Sequence, residues 1–207
     1  MEKTAQKTKG ELLREGLKLS MGYGDYRQMI SDLALEGKST GPLQSEEVIN
    51  YTRLNDQRMK RLDKTIQIDA DSESEIKKVS KKITWLVLTE SWCGDAAQTL
   101  PVMNKIADLN QNISLKLVLR DENLELMEQF LSNGAMAIPK LISIDDATGK
   151  VIGEWGSRPS IAANMVQDHK RIYGKLTAEF KQDLQLWYNK DKGQNTVSDL
   201  LSLLFLE

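Results

Sequence analysis

The sequence predicts an α/β protein in three layers, with a mixed central sheet between helices and helical extensions at both ends of the chain. Two features carry that expectation. Over residues 64–173, short apolar runs of strand character alternate with segments of helical period in the order β-α-β-α-β-α-β-β-α, and a tight turn separates the last two strands. On either side, apolar residues recur at spacings of three and four. The chain thus divides into a helical extension (1–63), an α/β domain (64–173) and a second helical extension (174–207).

In the first extension, Leu12, Leu13 and Leu17, then Tyr26, Met29, Ile30 and Leu33, mark two helices interrupted at Gly22 and Gly24. Gly37 and Gly41-Pro42 close the second. Ser45 is a candidate N-cap for a third helix running to about Leu62, with Glu46 and Glu47 at its positive end and Leu54, Met59 and Leu62 buried. Thr65-Ile66-Gln67-Ile68 alternates with period two and predicts a short strand. Ser72 and Glu75 form a capping-box pattern for a helix to about Lys81. Ile83–Leu88 is nearly all apolar, as in a strand covered on both faces. A helix from about Ala96 to Leu109 ends at Asn110, followed by a strand at Ile113–Leu119. The next helix spans Leu124–Leu131 and closes at Asn133-Gly134, ahead of a strand at Pro139–Ile144. Asp145–Gly149 makes a turn, and Lys150–Trp155 returns as the second arm of a hairpin. A long helical region begins near Pro159 and runs through Met165, Ile172, Leu176, Phe180, Leu184 and Trp187. Thr196 and Asp199 would cap a last helix, Val197–Phe205, whose leucines either seal the core or meet a second copy in a homodimer.

Composition narrows the function classes. The 207 residues are 40% hydrophobic and 28% charged, enough apolar material for a core. Twenty-eight Lys and Arg against 30 Asp and Glu leave a net charge of −2, with no basic field to hold a nucleic-acid backbone. A single cysteine, Cys93, excludes an internal disulfide framework and a cysteine-rich zinc site. A single histidine, His169, removes Ser-His and Cys-His triads and is expected at the surface. The methionines fall at helical spacings and read as core filler, so neither a metal nor a cofactor is expected. The charged start, Met1–Lys7, lacks the apolar stretch of a signal peptide, and Leu200–Leu206 is far shorter than the roughly 20 residues that span a bilayer. The expected setting is the cytoplasm, with Cys93 reduced.

Chemistry is concentrated where the apolar strand meets a helix, at Glu90-Ser91-Trp92-Cys93-Gly94-Asp95-Ala96. A cysteine just ahead of a helix faces free backbone N–H groups and the positive end of the helix dipole, both of which favour the thiolate. Asp95 opposes this: its charge repels a neighbouring thiolate by about 2 kcal/mol at an effective dielectric near 20. Cys93 is therefore expected to be a modest nucleophile on an uncovered sulfur. Glu90 could relay a proton to Cys93 but reads better as a solvated loop acid, and Trp92 either presents an indole edge to a partner or covers the motif.

These residues resemble the thioredoxin superfamily, and in particular bacterial thioredoxin-like proteins with a Trp-Cys-Gly-Asp motif. The resemblance lies in Trp92-Cys93-Gly94 after an apolar strand, Pro101 eight residues past the cysteine, Ile138-Pro139 before a strand, and a hairpin followed by Trp155-Gly156. It implies a thioredoxin-like fold, with Cys93 as the catalytic thiol. Substrate contacts would come from Trp92, Gly94, Asp95, Ile138 and Pro139. Pro139 would be the cis-proline that presents the Ile138 backbone to an extended substrate. Two departures bear on function. Ala96 stands where thioredoxins carry their second cysteine, so a mixed disulfide on Cys93 has no resolving thiol within the chain. Val87 stands where they carry a buried aspartate.

Three functions compete. The first is a monothiol thiol–disulfide oxidoreductase, in which Cys93 attacks a protein disulfide or accepts a low-molecular-weight thiol. The second is a redox-inactive module that binds or chaperones a protein partner. The third, iron–sulfur carriage, is disfavoured because no Gly-Gly pair follows Pro139.

Overall fold

The computed structural model describes residues 7–205; the start of the chain (1–6) and Leu206 at the end of the apolar run lie outside them. The molecule is built on a four-stranded mixed sheet ordered β2-β1-β3-β4. The strands are β1 (Ile83–Thr89), β2 (Ile113–Leu119), β3 (Lys140–Asp145) and β4 (Val151–Gly156). β1 runs parallel to β2, with Val87 opposite Leu117, and antiparallel to β3, with Val87 opposite Leu141. β3 and β4 form the hairpin. Leu86, Val87, Leu88, Leu117, Leu141 and Ile142 are fully buried, which is why β1 reads as a continuous apolar run.

Three helices precede the sheet: α1 (Lys9–Leu19), α2 (Tyr23–Glu36) and α3 (Glu46–Thr65). Thr8 and Glu11 close a capping box at the start of α1. Gly37, in the left-handed region at φ 67°, ends α2. Leu12, Leu13, Tyr26, Ile30, Met59 and Leu62 all enter the same apolar core as the sheet. Met21 pairs with Leu117 beyond the last full strand and so covers the outer edge of β2.

Several elements differ from the sequence expectations. Leu54 faces outward on α3, 42% exposed. The strand expected at 65–68 is absent because α3 continues to Thr65; Ile66 then donates its N–H to Leu62 O and buries its side chain. α4 (Ala70–Lys77) starts from Asp69, whose carboxylate accepts the Ser72 N–H at 2.9 Å, so Ser72 is capped and does not itself cap. α6 (Leu124–Glu128) is short, and Asn133 and Gly134 turn in the left-handed region beyond it.

α5 (Gly94–Leu109) crosses the sheet with Pro101 inside it and nine of its residues buried. The long helical region after Pro159 is two helices, α7 (Ser160–Tyr173) and α8 (Ala178–Asp191), because Gly174 at φ 72° ends the first and Thr177 caps the second. The last helix, α9 (Gln194–Leu204), starts after Gly193. Thr196 is buried inside it, and the Asp199 carboxylate accepts from the Trp155 indole and from Ser160. Val197, Leu200, Leu203 and Leu204 join the main core, so this helix seals the sheet, while Phe205 is 49% exposed. Among the described residues, no helix is long and apolar enough to cross a membrane.

Candidate functional site

The site forms where β1 ends and the chain turns through Glu90-Ser91-Trp92 into α5, with Cys93 as the N-cap. The Cys93 N–H closes the turn on Glu90 O at 3.1 Å. Its Sγ accepts from the Ala96 N–H at 3.5 Å and donates its own proton to Ile138 O at 3.3 Å. The helix end therefore does aim donors at the sulfur. Even so, the sulfur is not uncovered as expected: Cys93 is only 7% exposed and belongs to the main apolar core. Burial, and then the charge of Asp95, push its thiol up to about 12, against the opposing pull of backbone N–H groups and Arg158. Desolvation outweighs the helix end, and Cys93 rests as a protonated thiol.

Asp95 is more than a carboxylate at a helix start. Its Oδ2 meets Arg158 Nη2 at 2.6 Å and its Oδ1 accepts from the Tyr188 hydroxyl at 2.9 Å. Burial raises its pKa, with Arg158 and Tyr188 acting against the rise. Gln98, one turn along α5, donates to Gln185 Oε1 at 2.9 Å. Nothing in the sequence pattern pointed to Arg158, Gln185 or Tyr188, since contacts over such separations leave no local signature.

Glu90, expected as a solvated acid, is fully buried; its Oε1 accepts the Asp121 N–H at 2.8 Å, while Oε2 is buried without a partner. Burial raises its pKa. The extension over residues 39–55 encloses this turn. Ser91 Oγ sits among Thr40 N–H (3.0 Å), Ser39 Oγ (3.2 Å) and Thr52 Oγ1 (2.9 Å), and Asn55 Nδ2 donates to Ser91 O at 2.8 Å. Trp92 is half-buried against the core with the Arg120 guanidinium 4.9 Å above its ring. Gly94 is half-buried beside Arg58.

Ile138 and Pro139 lie opposite, both buried, and the peptide bond between them is cis. Gly156 packs so closely on this segment that a Cβ there would collide with Pro139 O. The structure thus brings Cys93, Asp95, Ile138 and Pro139 together and leaves His169 elsewhere. That histidine is half-buried between Tyr173 and Phe180, its ring centroid 4.1 Å from that of Phe180, because an aromatic pocket on α7–α8 holds it away from the surface. Among the described residues, no group of His, Cys, Asp and Glu could hold a metal ion.

A family model described as Thioredoxin matches residues 41–170, which takes in α3 as well as the sheet. Among solved structures, a protein of unknown function from Pseudomonas aeruginosa is 15% identical with a TM-score of 0.64, over 92% of this chain and 95% of that one. An HIV epitope-scaffold is 16% identical with a TM-score of 0.55, over 89% of this chain and 98% of its own. At such identities the likeness concerns the fold alone. No curated protein matches the sequence.

Proposed function

The chain belongs to the thioredoxin family, and from that premise we propose that it acts as a partner-binding module whose single thiol is sequestered and not used for disulfide exchange. The observation that carries this reading is the Cys93 sulfur, buried in the core with its proton given to Ile138 O. A thiol reacts as its thiolate, and a group pushed up to about 12 supplies very little of it near neutrality. The sequence agrees, because Ala96 provides no resolving thiol and Val87 no buried acid. The partner is a protein.

Glutathione disulfide tests the reading directly. The native protein should stay unmodified at Cys93 by mass spectrometry at neutral pH, and should not reduce insulin disulfides. A mixed disulfide forming as fast as on an unstructured cysteine peptide would overturn it.

One arrangement favours a second reading, a monothiol oxidoreductase. The Ala96 N–H aimed at Sγ would stabilise a thiolate once the sulfur were uncovered and had given up its bond to the Ile138 carbonyl. Cys93 would then attack a protein or low-molecular-weight disulfide, releasing one thiolate and forming a mixed disulfide that an external thiol must cleave. Disulfide exchange that is catalysed by the native protein and lost in Cys93→Ser would establish it.

A further inference from the structure

We propose that α7 and α8 form a hinged arm that closes over the Cys93 end of α5, and that opening of the arm controls access to the thiol. The proposal rests on the reading of Cys93 as sequestered in the closed form, and holds whether or not the released thiol is redox-active.

The arm has its own core. Ala162, Val166, Phe180, Leu184 and Tyr188 form a small apolar cluster apart from the one that unites the sheet with α1–α5 and α9. Its two ends are rooted together on α9. Ser160 gives its N–H and hydroxyl to Asp199 at 2.7 and 2.8 Å, and the Ile161 N–H goes to Asn195 Oδ1 at 2.9 Å. α9 itself is fixed in the main core. At the exit of α8, Lys192 and Gly193 both lie in the left-handed region, at φ 54° and 85°, a sharp reversal between arm and body.

What attaches α8 to the body is polar. Tyr188 donates to Asp95, Gln98 to Gln185, and Arg61 to Asn189 at 2.8 Å. Two of these bonds land on the first turns of α5, one of them only two residues from Cys93. An element with a private core, joined roots and a hydrogen-bonded contact face can leave as a unit, because each polar group it releases is rehydrated and the main core is uncovered only at the Cys93 end of α5. A fused apolar interface would not permit that.

Thiol modification by dithionitrobenzoate, followed in native protein at urea concentrations below the unfolding transition, tests the proposal. The expected result is slow modification of Cys93 whose urea dependence is a small fraction of that for global unfolding. Tyr188→Phe and Gln185→Ala should each accelerate it, about fivefold to tenfold for the loss of one such bond, while the folded-to-unfolded ratio falls by no more than that same factor. Hydrogen exchange offers a readout without substitutions: amides of 160–191 should exchange together, faster than those of α5 and α9. Modification that tracks global unfolding in every variant, or arm amides as protected as those of α5, would overturn the arm while the sequestered thiol stands. Immediate modification of the wild-type protein, indifferent to urea and to both substitutions, would overturn the sequestered thiol and the arm together.

Discussion

Cys93 and Ile138, 45 residues apart, are joined by a hydrogen bond in which the thiol donates to the carbonyl at 3.3 Å. The bond engages the only thiol in the chain and the backbone carbonyl just ahead of Pro139. The following expectations derive from that geometry and from the groups that hold it in place.

The buried thiol should make stability depend on alkaline pH. Cys93 is pushed up to about 12 in the folded chain, whereas the unfolded chain releases the same proton near 9.0. Above that unfolded value the folded form binds more protons, so stability falls as pH rises toward the folded value, and below it the thiol contributes no slope. The wild type should therefore lose about 1 kcal/mol per pH unit more than Cys93→Ala between about pH 9 and 11. Urea unfolding of both proteins across this range reads the difference in slope, and parallel curves would contradict it.

Asp95→Asn should destabilise the fold by about 1–3 kcal/mol, because Arg158 loses its charged partner in a largely buried setting. The same change removes the negative charge that raises Cys93, so the thiol should titrate lower than in the wild type. Urea unfolding and thiol titration check the two signs separately.

Asn55→Ala should cost about 1–3 kcal/mol in urea unfolding. The amide is fully buried and holds Ser91 O at 2.8 Å, so its loss leaves that carbonyl without its side-chain donor and loosens α3 from the turn ahead of Cys93.

Gly156→Ala should cost at least about 3 kcal/mol, or prevent folding, since the new Cβ would collide with Pro139 O on a residue at φ 125°. Thermal unfolding against wild type measures it, and a neutral result would mean that β4 and the Pro139 segment are less closely packed than described.

The parts of the fold legible in the sequence were those with a local cause. β2 spans Ile113–Leu119, the bounds expected for that strand, and Ser45 caps α3 through its own side chain. Thr65–Ile68 misled because a helix end followed by one buried isoleucine copies the period-two pattern of a strand. Gly174 is a stop signal that the apolar spacing across residues 165–187 obscured. At the site, the motif placed Cys93 at the head of α5, but its burial depends on elements distant in sequence. Tyr188 reaches Asp95 across 93 residues, and Glu90 is enclosed with the Thr40 segment. No spacing rule encodes such closures, which follow from how the extensions fold over the sheet.

The most direct measurement is the pH dependence of Cys93 alkylation in the folded protein between pH 6 and 10, with the unfolded chain as reference. A protonated, enclosed thiol predicts rates far below the reference throughout and no inflection in that range. A rate that matches the reference, or a titration midpoint near or below neutrality, would show a free thiolate at the head of α5 and contradict the account.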